Sequence, residues 1–210
     1  MLNFQPEQDV RPTFETPIAH FRLPDAQQLN RGLRRIIRAK ESSGPGIVRS
    51  NVGGWHSEDD FLVWPEPEVA TFKEAIREAV GSLTGYLAKA ARFEGSIKLQ
   101  AWANVLRRSH YHRIHNHPNH TWSGVYYVDA GSDVADRPDS GQIEFRDPRG
   151  FIEMLPCTGL NFGDPITIKP ESGLMLVWPA WLYHSVNPYH GKGERITIAF
   201  NARIENFRAL

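Results

Sequence analysis

One cysteine, Cys157, stands alone in the chain, so an intrachain disulfide is excluded and no cysteine cage for a structural zinc exists. Cys157 is expected to be a small buried hydrophobe rather than a nucleophile, since free cysteine is usually structural and this one sits in a Pro/Gly-rich turn. Long apolar runs are missing too: none approaches the roughly 18 residues that a membrane-spanning helix needs, and the N-terminus lacks a secretory pattern. These absences point to a soluble, cytoplasmic protein with no membrane partner. An excess of either charge is also lacking, with 24 Lys+Arg against 24 Asp+Glu. No global field recruits nucleic acid, and no nucleic-acid partner is expected. Neither an internal repeat nor a low-complexity segment is visible.

What is present suits one domain. A chain of 210 residues can bury about 70% of its unfolded surface, and a single domain is expected over residues 1–210, with an N-terminal arm and helices in 1–94 and a strand-rich core in 95–210. After a proline-rich arm with an edge strand at Ile18–Phe21, Asp25 is placed as the N-cap of a helix. Its apolar positions Leu29, Leu33, Ile36 and Ile37 recur at helical spacing until Ser42-Ser43-Gly44. Arg34, Arg35, Arg38 and Lys40 read as its solvated face. A second helix begins near Pro67, carrying Val69, Phe72, Ile76, Val80, Leu83 and Leu87 on one stripe. From Gly95 the pattern changes to short β-branched and aromatic runs: Ile97–Leu106, Ser123–Val128, Gly141–Phe145, Ile166–Lys169, Leu174–Trp178 and Arg195–Asn201. Helices followed by many short strands predict an α+β fold, with the strands closed as a sandwich, barrel or jelly roll packed against the helices.

The chemistry concentrates in one histidine cluster, His110, His112, His115, His117 and His120, answered much later by His184. His115-Asn116-His117 can present two imidazoles on one side of an extended segment, because side chains two apart on a strand share a face. A distal histidine would close the site. Imidazoles select a transition metal over magnesium or calcium.

The order of segments, His115-x-His117, then Ser123-Gly124-Val125-Tyr126-Tyr127-Val128, Gly141-Gln142-Ile143-Glu144-Phe145, Pro170-Glu171-Ser172-Gly173-Leu174, His184-Ser185-Val186 and Arg195-Ile196-Thr197, resembles the iron(II)- and 2-oxoglutarate-dependent oxygenases, in their prolyl-hydroxylase-like branch. With Ser50-Asn51-Val52-Gly53-Gly54-Trp55 added, it is similar to a group of bacterial and phage 2OG-Fe(II) oxygenases of unknown substrate. The resemblance runs from Ser50 to Trp55 and then from Trp102 to Asn201. It implies a double-stranded β-helix (jelly roll) packed on the two N-terminal helices, and a dioxygenase using Fe(II), 2-oxoglutarate and molecular oxygen to hydroxylate a small-molecule or peptide substrate. It further implies that His115, His117 and His184 ligate the metal. Arg195 would pair with the far carboxylate of 2-oxoglutarate, with Thr197 and Tyr127 beside it. Exposed strand edges and the arm leave room for a homodimer.

One position departs from the family: a carboxylate usually stands where His117 is. Iron(II) with a dianionic cosubstrate is neutral when every protein ligand is an imidazole, which permits the change. Three imidazole ligands would also release metal as pH falls through their titration range near 6. Shifted registers through His112, Asn119 or His120, or a carboxylate supplied by Glu144, remain competing ligand sets. Otherwise His110, His112 and His120 read as exposed or supporting residues, and His20, His56 and His190 as surface or packing residues. Trp122, Trp178 and Trp181 read as packing, and Arg146 and Arg149 as a surface loop. Trp102 and Asn104 share one strand face of unknown side, and Ser50–Trp55 is either a loop over the mouth or a plain turn. Two rival functions are a cupin-type metalloenzyme, disfavoured by the absence of a glutamate at Thr121 or Trp122, and a non-catalytic ligand-binding barrel, disfavoured by the Arg195/Thr197 pair.

Overall fold

The structure is a computed structural model that describes Gln5, Glu7 and residues 13–90, 93–150 and 165–210; Cys157 lies outside the described residues. Its elements, in chain order, are β1 (Ala19–Arg22), α1 (Ala26–Ser43), β2 (Asn51–Val52), β3 (Trp55–His56), a 3₁₀ turn (Phe61–Val63), α2 (Pro67–Leu87), β4 (Phe93–Leu106), β5 (Tyr111–His115), β6 (Trp122–Asp129), β7 (Ile143–Phe145), β8 (Ile166–Ile168), β9 (Leu174–Pro179), β10 (His184–Val186) and β11 (Arg195–Ala209). The strands form two sheets, ordered β1-β9-β6-β11-β4-β3 and β2-β5-β10-β7-β8. Every pairing within them is antiparallel. This is a double-stranded β-helix with the two helices packed on its larger sheet, as the order of segments implied.

Alternation along the strands explains how one sheet serves two cores. On β11, Ile196, Ile198, Phe200 and Ala202 join the core beneath the helices, with Leu33, Ile36 and Ile37 of α1 and Phe72, Ile76 and Val80 of α2. Between the sheets a second apolar cluster contains Val125, Tyr127, Ile143, Phe145, Leu176 and Trp178. Adjacent residues Tyr126 and Tyr127 therefore face opposite cores. Two polar anchors fix the helices to the sheet: Tyr126 Oη donates to Asn30 Oδ1 at 2.7 Å, and Trp122 Nε1 donates to Thr84 Oγ1 at 3.0 Å.

Several details differ from expectation. Asp25 precedes α1 but adopts a left-handed backbone (φ 51, ψ 28) and makes no capping hydrogen bond. The basic face of α1 is exposed yet engaged: Arg34 pairs with Asp129 at 3.0 Å, Arg35 with Glu68 at 3.2 Å and Arg38 with Glu194 at 2.6 Å. Lys40 lies 5.0 Å from the centre of the Trp64 ring. Leu87 falls off the buried stripe of α2 and is 43% exposed.

The Ser50–Trp55 segment is neither a free loop nor a simple turn. β2 pairs with β5 in the smaller sheet, while β3 pairs with β4 in the larger one. The chain thus crosses from sheet to sheet through Gly53 and Gly54, at φ +67 and +69, where a Cβ would come within 2.3 Å of the His110 ring and 2.8 Å of Leu106 respectively. Only glycine meets both the backbone angle and the space.

Candidate functional site

The two sheets open into a cavity of about 520 Å³ lined by residues from β4, β5, β6, β10 and β11, within the range of about 300–1,000 Å³ common for small-ligand sites. His115 ends β5 directly opposite His184, the first residue of β10. β5 stops at His115, so His117 lies beyond the strand rather than on its continuation. Its backbone is held instead by a hydrogen bond from His117 N to Ala180 O at 2.9 Å. The three rings still converge. Centroids are 4.4 Å apart for His115 and His184, 5.0 Å for His115 and His117, and 5.2 Å for His117 and His184. One ligand atom from each lies within 4.8 Å of the others, and among the described residues no other histidine, cysteine or acidic side chain joins the group. Glu144 is directed elsewhere, to Arg146 at 2.9 Å.

Two of the rings have their outer nitrogen already engaged. His115 Nδ1 donates to Arg113 O at 2.7 Å and His184 Nδ1 to Leu182 O at 3.0 Å, which turns both Nε2 atoms to the cavity as acceptors. Burial is the main force on their pKa values. It takes His117 down to about 3 with help from the charges of His115 and His120, holds His184 well below the ordinary imidazole value, and lowers His115 against the pull of its bond to Arg113 O. The folded protein thus keeps these rings neutral below the ordinary imidazole range, the form in which an imidazole nitrogen can accept.

Arg195 is the unusual charge. Its side chain is 1% exposed, and among the described residues Nε and Nη2 have no hydrogen-bond partner. The neighbouring carboxylate, Glu194, is committed to Arg38 at 2.6 Å and Arg107 at 2.7 Å. The guanidinium instead sits 5.1 Å from the centre of the Tyr127 ring, and the Tyr127 hydroxyl is itself buried, with Arg195 as its polar neighbour but no hydrogen bond of good geometry among the described residues. Burial raises the Tyr127 pKa and the charge of Arg195 opposes it; burial likewise lowers that of Arg195. Thr197 is opposite Tyr127 on one side and Asn104 on the other, so the three share one row across the cavity floor.

Some lining residues were less visible in the sequence. His56 is buried and stacks parallel to Trp102, with centroids 5.7 Å apart and an 8° interplanar angle, placing a histidine without any motif on the cavity wall. His112 is buried, and its Nδ1 lies 3.2 Å from Ser50 Oγ; the same hydroxyl is 3.4 Å from His115 Nε2. Trp102 and Asn104 face the cavity, and Asn104 Oδ1 is buried without a partner. Trp178 packs edge-on to His184 at 4.9 Å and also lines the cavity, whereas Trp122 packs beneath α2 and Trp181 is 51% exposed. His110 accepts from Arg107 N at 3.0 Å on Nδ1, and His120 is half-buried, its Nδ1 donating to Pro118 O at 3.1 Å. Arg149 pairs with Asp147 on the surface.

The strand roll thus gathers around one cavity three imidazoles that could hold a metal ion and a buried guanidinium whose Nε and Nη2 find no partner among the described residues. Residues 100–201, just under half of the chain, match the family described as "Putative 2OG-Fe(II) oxygenase". No curated protein matches the sequence. Among solved structures, the chain is similar to a prolyl-4-hydroxylase of Pseudomonas putida, with 16% identity, TM-score 0.59, and 89% of this chain and 91% of that one covered. It is also similar to the Trichoplax adhaerens prolyl hydroxylase in complex with a hypoxia-inducible-factor peptide fragment, with 11% identity, TM-score 0.58 and coverage of 89% and 83%. A third is HygX of Streptomyces hygroscopicus with nickel and 2-oxoglutarate bound, with 12% identity, TM-score 0.57 and coverage of 90% and 83%. At these identities the structural likeness is one of fold. The family's cofactors are iron(II) and 2-oxoglutarate, and the residues present fit both. Three neutral imidazoles suit a transition metal, and an unpaired buried guanidinium suits a carboxylate. Among the described residues, no helix is long and apolar enough to cross a membrane.

Proposed function

We propose that the protein is an iron(II)- and 2-oxoglutarate-dependent dioxygenase that hydroxylates a C–H bond of a small-molecule or peptide substrate. The observation that carries this reading is Arg195. A fully buried guanidinium with two nitrogens, Nε and Nη2, lacking partners among the described residues is costly to maintain unless a carboxylate arrives to pair with it. The charge lies in the same cavity as the three converging histidines, which is the separation of functions that a chelating dicarboxylate requires.

In this reading His115, His117 and His184 hold the metal and leave further coordination positions open. Arg195 binds the far carboxylate, and Thr197 and Tyr127 offer hydroxyl donors to it from the same face. Bound iron(II) with 2-oxoglutarate supplies an oxidative decarboxylation that yields succinate and carbon dioxide and places one oxygen atom of O₂ on the substrate carbon. The apolar walls, Val125, Trp178 and Ala199 among them, keep water away from that position.

Anaerobic addition of iron(II) and then 2-oxoglutarate should raise the weak visible band of a chelated 2-oxo acid, and admission of oxygen should then produce succinate even without substrate. Metal binding with neither the band nor succinate would eliminate the dioxygenase and leave a metal-binding barrel.

A further inference from the structure

His117 differs from the other two histidines in how its outer nitrogen is held. His115 and His184 donate Nδ1–H to backbone carbonyls, but His117 Nδ1 faces a side chain, the amide of Asn201, with Asn201 Nδ2 at 3.3 Å. Behind it, Asn201 Oδ1 accepts from Ser123 Oγ at 2.7 Å. Asn201 and Ser123 are neighbours on β11 and β6, directly opposite in register, and are 4% and 1% exposed. In this orientation the amide NH₂ donates to a bare Nδ1, so the ring proton sits on Nε2 and no lone pair is left for a metal.

Turning the amide over reverses all of this at no cost in shape, since its oxygen and nitrogen are nearly isosteric. The oxygen then accepts Nδ1–H from His117, Nε2 becomes a free ligand, and the NH₂ group donates to Ser123 Oγ, a hydroxyl that serves equally as donor or acceptor. We infer that Asn201, buttressed by Ser123, is the positioning residue that prepares His117 to ligate metal, and that metal binding selects the orientation with the amide oxygen toward the ring. The inference rests on His117 being a metal ligand. It explains how an imidazole standing beyond the end of β5 can be aimed without a backbone carbonyl: the neighbouring sheet supplies the acceptor. Ligating histidines depend on such a partner for both tautomer and angle.

Metal affinity, measured anaerobically by competition of iron(II) or cobalt(II) with a chelator and without 2-oxoglutarate, tests this independently of turnover. Asn201→Leu, similar in volume but unable to accept, should lower affinity by about 10–100-fold, the usual effect of losing such a partner. Asn201→Asp, which can only accept, should keep affinity within about threefold of the parent or raise it. Ser123→Ala should fall between them. Equal affinity for parent and Asn201→Leu, or an equal loss in Asn201→Asp and Asn201→Leu, overturns the inference. Should the variants fail to fold, long-range proton–nitrogen spectra of the parent loaded with zinc(II) decide the matter. A protonated Nδ1 on His117 supports the inference and a protonated Nε2 refutes it. If metal binds as described but no succinate forms, the dioxygenase reading fails while this one stands.

Discussion

Replacing Arg195 with methionine should make the ligand-free protein more stable and the cosubstrate nearly unable to bind. Arg195 is 1% exposed, with Nε and Nη2 unpaired. Each unsatisfied buried donor costs about 1–3 kcal/mol, and exchanging a buried charge for an apolar side chain of similar volume gains about 1–4 kcal/mol in comparable cases. The lost contact with the Tyr127 ring, about 0.5–2 kcal/mol, offsets part of this. A net gain of about 1 kcal/mol remains, or about 2–4 °C in melting temperature for a chain of this size. Binding moves the other way: loss of a buried charge partner costs about 2–5 kcal/mol, which is about 30- to 5,000-fold in 2-oxoglutarate affinity. Because a ligand stabilises the state that binds it, the two proteins should exchange rank as 2-oxoglutarate is added under anaerobic iron(II), with the variant ahead at zero and the parent ahead near saturation. Calorimetric titration and thermal unfolding read both quantities. A variant that binds 2-oxoglutarate within threefold of the parent, or melts lower without it, defeats the reasoning.

Acid should weaken the metal-free protein early. Burial, then the charges of Arg195, His115 and His56, take His112 down to about 3 in the folded state, while an unfolded imidazole takes its proton near 6.5. Between those values the unfolded chain binds more protons, so the stability contributed is whole above about pH 6.5 and declines by about 1.4 kcal/mol per pH unit below it for this group. His184 acts in the same direction. Denaturant unfolding at pH 7, 6 and 5 should show the decline and His112→Asn should make it shallower; a level profile in the parent would contradict the burial argument. Gly53→Ala should cost about 1–3 kcal/mol, since a left-handed backbone strains any other residue and the new Cβ meets His110 at 2.3 Å; a cost under about 0.5 kcal/mol, the usual surface value, would show the crossing to be pliable. Thr197→Val preserves shape and removes one hydroxyl, so 2-oxoglutarate should bind about 3–10-fold more weakly, with unchanged affinity counting against Thr197 as a donor.

The longer strands were legible because their periods are long enough to read. The alternation of Arg195-Ile196-Thr197-Ile198 announces a half-polar face, and β11 begins there as expected. The stripe from Val69 to Leu83 likewise forecast α2. Elements of two residues carry no period, and so β2 and β3, which join the sheets, looked like a loop. His56 was invisible for the same reason: nothing local marks a histidine whose importance comes from a strand pairing with β4. The proximity of His115 and His184 is a cross-strand register, which the cluster and its distal histidine suggested and the resemblance supported, but whose pairing no local pattern reveals. Spacing alone favoured His115 and His117 on one strand, whereas the chain leaves β5 between them and brings the second ring back through a contact with Ala180. Asp25 stands at the N-cap position as read, but its backbone turns left-handed and its side chain makes no capping hydrogen bond, a detail that propensity does not reveal.

The parity of β11 has a consequence for how this protein can vary. Its odd-numbered positions from Arg195 to Asn201 look into the cavity and its even-numbered ones, from Ile196 to Ala202, support the helices. Losing or adding one residue at the head of this strand would exchange the two alphabets, driving a guanidinium under the helices and isoleucines into the ligand chamber. Sequence drift along it is therefore confined to substitutions, each heard by only one of two audiences: odd sites answer to chemistry, even sites to folding.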